Sequence, residues 1–182
     1  MVDIDHYQQV TDRLGILFGE AVLIGAADKL SAAAGEEAVC GRIGATTLAV
    51  YRRAASRREA VALGRGFCEK LRQSLADGKQ ELCITASVGM VLIPPCEKDF
   101  SLLLRQADLA LAAAKRAGGG RLVAYRRSIR DDGADAGFYF GEAPAAAGSA
   151  KSFNENMFYL FFNMLYEGED PDRAVDLVLR TA

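Results

Sequence analysis

Tryptophan is absent, histidine occurs once, as His6, and the four cysteines (Cys40, Cys68, Cys83 and Cys96) stand far apart with no C-x-x-C pair. These shortages argue against a structural zinc site, which needs clustered Cys or His ligands, and leave reduced, mostly buried thiols as the expected state of the cysteines. Long hydrophobic runs are missing as well. Nothing approaches the roughly 18 to 20 uninterrupted apolar residues that cross a bilayer, and the first residues lack the basic-then-apolar pattern of a secretory signal. A cytoplasmic location without membrane contact by this segment is expected. Residues 1–130 carry 19 basic against 14 acidic side chains, and residues 131–182 carry 3 against 10. The basic excess is spread over helices without interleaved aromatics, so it marks a boundary and not a nucleic-acid surface.

What is present is 51% hydrophobic and 25% charged residues over 182 positions, enough for one α/β or α+β domain plus an appendage. The centre of the pattern is Val39 to Tyr51, two short apolar runs meeting at the small pair Gly44-Ala45, which predicts a β-hairpin extending to about Ala55. Before it, Met1 to Asp5 reads as the end of a strand. His6 to Leu14 reads as a polar helical segment, and Phe18 to Ala34 as a longer helix stopped by Gly35. After it, Ser56-Arg57-Arg58-Glu59 has the form of a capping box. It should open a helix carrying Ala60, Leu63, Phe67, Leu71 and Leu75 and ending at Gly78. Glu81 to Ile93 alternates as one long strand closed by Pro94-Pro95. Asp99 caps a further helix that runs to Gly118-Gly119-Gly120, and Arg121 to Tyr125 is a last short strand.

Beyond Arg130 the composition changes. Residues 131–150 are rich in Gly, Ala, Asp and Pro, a linker composition, with Phe138-Tyr139-Phe140 inside it as a packing element. Residues 151–182 hold a dense apolar run, Phe153 to Tyr166, and a second helical pattern opened by Asp170-Pro171. Such a helix pair cannot bury its apolar face alone. It is expected to pack on the main domain, pair with a second copy, or open a following domain, and its wording resembles the start of a GAF domain.

The hairpin, read with three other segments, resembles the GGDEF domain, the bacterial diguanylate cyclase module. Asp3-Ile4-Asp5-His6-Tyr7 matches the family's D-x-D-x-F opening. Ile84 to Gly89 matches its strand ending in S-I-G. Ala107-Asp108-Leu109-Ala110-Leu111 with Ala114-Lys115-Arg116-Ala117-Gly118 matches its A-D-x-A-L-x-x-A-K-x-x-G helix. The resemblance covers about residues 2 to 126 and implies an α+β sandwich: a mostly antiparallel central sheet with flanking helices, as in nucleotidyl cyclases. The family's first strand begins earlier, so the chain is expected to be a fragment, with residues 1–130 as its GGDEF domain.

The same resemblance implies a site from which the charge has gone. Family members join two GTP molecules into cyclic di-GMP across a dimer, each protomer holding one GTP and two divalent cations. That chemistry relies on metal charge and positioning, hence on carboxylates from both the first strand and the hairpin. Asp3 would be the first-strand metal ligand, with the Ile4 carbonyl beside it. In the hairpin Gly44 is kept, Ala45 replaces the second glycine, and Thr46 and Thr47 stand where the acidic pair should be. A neutral hydroxyl is a poor magnesium ligand beside a carboxylate. The phosphate-binding lysine is Gln8, the guanine-reading asparagine is Thr11, and the guanine-reading aspartate is Glu20. Lys115 keeps a phosphate contact, while Gly119 replaces an arginine. The R-x-x-D product site would fall on Gly35 and Ala38 and is absent.

Simpler roles compete at several positions. Asp3 and Asp5 could be solvated strand ends, Lys115 a complement to a helix dipole, and His6 an exposed loop residue. Gly118 to Gly120 could be a helix C-cap, and Arg52, Arg53, Arg57 and Arg58 a solvated face. The expected function is a catalytically inactive GGDEF-like regulatory or dimerisation module of a bacterial signalling protein. It would work with other domains of its polypeptide and as a homodimer. A GTP sensor using magnesium is the alternative, and weak residual cyclase activity the third reading. No cofactor is certain.

Overall fold

The computed structural model describes residues 1–77, 80–93, 99–129 and 173. Apart from Arg173, the expected linker (131–150) and helical extension (151–182) lie outside the described residues. The elements run β1 (Val2–Ile4), α1 (Tyr7–Leu14), α2 (Ile16–Ala34), β2 (Ala38–Arg42), β3 (Thr47–Arg52), α3 (Arg57–Leu71), β4 (Gln73–Asp77), β5 (Gln80–Ile84), β6 (Ala86–Met90), α4 (Phe100–Arg116) and β7 (Leu122–Ala124).

Five strands form one sheet in the order β2-β3-β1-β6-β7, antiparallel except for the parallel pair β6 and β7. This is the mostly antiparallel α+β sheet expected. Strand β1 is central, and its alternation assigns the two faces. Val2 and Ile4 point into a core with Leu23, Ala27 and Leu30 of α2, Phe67 and Leu71 of α3, and Ala86 and Val88 of β6. Each large apolar side chain buried there contributes about 1.5 to 3 kcal/mol relative to exposure. Asp3 and Asp5 point to the other face, the one covered by α4.

The approach of α4 depends on one residue. A Cβ on Gly89 would lie 2.3 Å from the Ala107 carbonyl oxygen and 2.4 Å from the Leu111 nitrogen, both backbone atoms that cannot swing aside. Glycine therefore lets the helix lie directly on β6, burying Leu103, Ala107, Ala110, Leu111 and Ala114. The C-terminal turn of α4 is thereby carried over Asp3. At the opposite end of β6, Met1 and Gly89 exchange backbone hydrogen bonds, and the Tyr125 N–H donates to the Met90 carbonyl at 2.7 Å.

Capping follows the sequence closely. Ser56 Oγ accepts from the Glu59 N–H at 3.1 Å, while Glu59 Oε2 accepts from the Ala55 N–H at 2.8 Å, a capping box displaced by one residue. Asp99 caps α4 through the Leu102 N–H. Three expectations are corrected. Helix α3 ends at Leu71, where Arg72 turns extended, and the residues given to its last turn form β4, which pairs with β5 as a separate ribbon. The long strand from Glu81 is two strands broken at Thr85, where the chain passes from pairing with β4 to pairing with β1, and the Thr85 hydroxyl donates there to Asp5. Helix α2 also begins earlier than Phe18, directly after Gly15.

Candidate functional site

Asp3 and Asp5 are buried, at 6% and 7% exposure, which corrects their reading as solvated strand ends. A buried carboxylate needs partners, and the two find different ones. Asp5 Oδ1 accepts from the Ser87 hydroxyl at 2.6 Å, and Oδ2 accepts from the Thr85 hydroxyl and the Gly120 N–H, both at 2.7 Å. Its own N–H donates to the Thr85 carbonyl at 2.8 Å. The glycines after α4 make this possible. Gly119 and Gly120 have φ of 71° and 61°, and a Cβ on Gly119 would come within 2.9 Å of Asp5 Oδ2. The triple glycine thus caps α4 and also seats the following loop on Asp5. With four groups fastened around it, Asp5 joins β1, the start of β6 and the α4–β7 loop.

Asp3 sits opposite Thr47 on one neighbouring strand and Ser87 on the other. Its Oδ2 forms an ion pair with Lys115 Nζ. Its Oδ1 is buried with no hydrogen-bond partner among the described residues. The lysine side chain is 44% exposed and the aspartate 8%, so the cation covers the mouth of a carboxylate pocket. Ile4 is buried beside it, Thr47 is buried opposite, and Thr46 is half-buried at the start of the hairpin strand.

A second group forms around Arg42. Its Nε donates to the Gly44 carbonyl at 3.0 Å, and an Nη to the Ala45 carbonyl at 2.5 Å, while the other Nη lies 3.6 Å from Glu20 Oε2. Arg42 therefore clamps the hairpin turn and holds Glu20, the residue expected to read a base. The hairpin closes through the Ile43 and Gly44 N–H groups on the Thr47 carbonyl. Nearby, burial pushes the Tyr7 phenol up, with the Glu20 carboxylate adding to it.

The remaining candidates face elsewhere. Gln8 is exposed and donates to Asp12 Oδ1 at 2.9 Å, one turn along its own helix. Thr11 donates to the Gln8 carbonyl, and its methyl group fills the space beside Gly19, where a Cβ would meet it at 2.5 Å. Both serve α1 and its packing on α2. His6 is exposed and in the left-handed region, φ 57°, at the start of α1. Arg52 is not part of a solvated face. It donates to the Ala34 carbonyl at 2.8 Å and lies 3.9 Å from Glu59. Among the cysteines, Cys68 is buried, Cys40 half-buried and Cys83 exposed. Sequence reasoning did not find Thr85, Ser87 and Gly120 as partners of Asp5, nor Arg42 as a clamp. The signal available was that Thr85 and Ser87 alternate with Ile84, Ala86 and Val88, on the same sheet face as the acids.

The family described as "Diguanylate cyclase, GGDEF domain" matches residues 1–121. This chain belongs to the GGDEF domain family. An uncharacterised signalling protein of Caulobacter vibrioides is 30% identical over 132 residues, covering 71% of this chain and 16% of that protein. The cyclic di-GMP phosphodiesterase PdeR of Escherichia coli is 27% identical over 124 residues, covering 68% of this chain and 19% of that protein. The chain thus spans less than a fifth of these relatives' length. Among solved structures, the diguanylate cyclase SiaD of Pseudomonas aeruginosa, determined with its activator SiaC, is 28% identical. It superposes with a TM-score of 0.61, over 68% of this chain and 47% of that one. Among the described residues of this GGDEF domain, no helix is long and apolar enough to cross a membrane.

Set against the family's two cations, the donor set here does not fit. A magnesium site needs several oxygen ligands with net negative charge. The pocket offers one free carboxylate oxygen, hydroxyls at the hairpin, and an ammonium already on the carboxylate. Among the described residues, no three Asp, Glu, His or Cys side chains gather as a metal site.

Proposed function

We propose that residues 1–130 are a catalytically silent GGDEF module, serving a longer cyclic di-GMP signalling protein as a regulatory or dimerising domain. The observation that carries this is the pairing of Asp3 with Lys115 opposite a hairpin that presents Thr46 and Thr47. Cyclisation brings two triphosphates together, and their charge has to be neutralised from bound cations. An internal ammonium holds one buried carboxylate and supplies a single positive charge on a flexible stem. What the fold keeps is rigid: Asp5 fastened on four sides, Arg42 clamping the hairpin, and Gly89 seating α4. A domain that maintains its frame while its acids are replaced is suited to transmit position to a neighbour. The SiaD structure, held with an activator protein, is a family precedent for that kind of coupling.

The unpartnered Oδ1 of Asp3 favours a second reading, a GTP sensor in which Lys115 moves to the phosphates. Calorimetric titration with GTP and magnesium, alongside an assay for cyclic di-GMP, separates the readings. The proposal predicts no product and no heat at high protein concentration. Heat that is lost in Asp3→Ala would make the sensor reading correct. Cyclic di-GMP above background would overturn both.

A further inference from the structure

At the end of β6 remote from Asp3, a cavity of about 410 Å³ opens between the ends of β6 and β7, α4 and the start of α3. Met90 and Leu92 give it apolar lining, Gln106 and Tyr125 polar lining, and Arg57 and Arg126 line it as well. Leu92 is 42% exposed there. Neither arginine has a carboxylate partner among the described residues. Both arginines are exposed, and a guanidinium presents a planar fork that matches a carboxylate. The occupant this chemistry suits is a peptide bearing carboxylates next to aromatic side chains.

The chain carries such a peptide at the right place. After β7 a turn closes through the Ile129 N–H on the Arg126 carbonyl at 2.9 Å, so the backbone doubles back beside a residue that lines the cavity. The sequence then reads Asp131-Asp132-Gly133-Ala134-Asp135-Ala136-Gly137-Phe138-Tyr139-Phe140, and no Lys or Arg follows until Lys151. Asp131 stands five residues from Arg126, a span of at most about 17 Å, and the aromatic triplet follows on a glycine-rich tether. Tethering at that length raises the local concentration to about the millimolar range, so modest contacts suffice.

We propose that residues 131–140 dock in this cavity, their carboxylates on Arg57 and Arg126 and an aromatic ring against Met90 and Leu92. The surface is at the opposite end of β6 from the Asp3 pocket and is independent of whether nucleotide binds there.

Hydrogen exchange on the intact chain tests this, read on peptides covering residues 131–142. Exchange should be at least about tenfold slower in the parent than in Arg57→Glu/Arg126→Glu, a factor equal to about 1.4 kcal/mol. Protection should return when Asp131→Arg and Asp132→Arg are added to that variant, and it should fall in 1 M sodium chloride. Peptides from β6 report whether the fold is kept. If charge reversal unfolds the chain, Arg57→Gln/Arg126→Gln is read in the same way. Exchange at the unstructured rate in the parent would overturn the proposal. So would protection indifferent to the arginines, or protection lost on dilution, which would make a second copy the occupant.

Discussion

Replacing Asp5 with alanine should cost this domain a large part of its stability, for reasons unrelated to nucleotides. Three donors converge on the carboxylate at 2.6 to 2.7 Å. A hydrogen bond to a charged group contributes about 1.5 to 3 kcal/mol, and a buried donor left without an acceptor costs about 1 to 3 kcal/mol. The contributions overlap, since the Ser87 and Thr85 hydroxyls can rotate towards other acceptors, whereas the Gly120 N–H is fixed. The expected loss is about 3 to 5 kcal/mol, against a typical domain stability of about 5 to 15 kcal/mol. In urea, with a slope of about 1 to 3 kcal/mol per molar, the midpoint should fall by about 2 M. Asp5→Asn keeps an oxygen for Thr85 and Gly120 and can offer its amide to a rotated Ser87 hydroxyl, so its loss should be nearer 1 to 2 kcal/mol, in roughly that range. In a cycle with Ser87→Ala, the double variant should cost less than the sum of the singles. A midpoint for Asp5→Ala within about 0.3 M of the parent would refute the reasoning and return Asp5 to the role of a surface or ligand-binding acid.

Gly89→Ala should destabilise by about 2 to 3 kcal/mol in thermal unfolding, because the added methyl meets backbone atoms of α4 and the helix must lift. Lys115→Met should cost about 1 to 2 kcal/mol, discounted because the lysine is partly exposed, and adding Asp3→Asn should recover most of it. Burial pushes both Cys40 and Cys68 up to about 11, so only about one thiol in a thousand at each is ionised at pH 8. A disulfide reagent at that pH should label exposed Cys83 well before either. Because the unfolded thiols lose their protons first, these two cysteines should reduce stability as pH rises from about 9 towards 11.

The fold was legible where local chemistry settles local structure. Ser56 and Asp99 cap the helices they precede, and the apolar runs around Gly44-Ala45 pair with the register of a hairpin. Helix α3 was overextended because Leu75 continues the spacing of Leu63, Phe67 and Leu71. The competing signal was Asp77-Gly78, a pair of turn-favouring residues inside the apolar spacing, next to the point where Asp77 pairs Gln80. The break at Thr85 could not be read from alternation, since alternation continues through it. The break falls where the chain changes partner, from neighbouring β4 to distant β1. The site was legible as a set of substitutions and not as an arrangement. Sequence matching named Asp3, Lys115 and Glu20 separately. That an ammonium lands on Asp3, and that Arg42 takes Glu20, follows from how close Gly89 lets α4 lie and from where the hairpin folds.

The hydrogen bonds of Met1 to Gly89 and of Tyr125 to Met90 put the start of β1 and the end of β7 on the two flanks of the same end of β6. Both positions therefore lie at one end of the sheet. A force drawing those two backbone positions apart would peel β1 and β7 from β6 one bond at a time, the weakest direction in which a sheet can be loaded. The far end, where Asp5 and Gly120 are fastened together, would carry tension only after the strands had opened most of the way. Mechanical signals entering here would be felt first by β6 and by the helix resting on it.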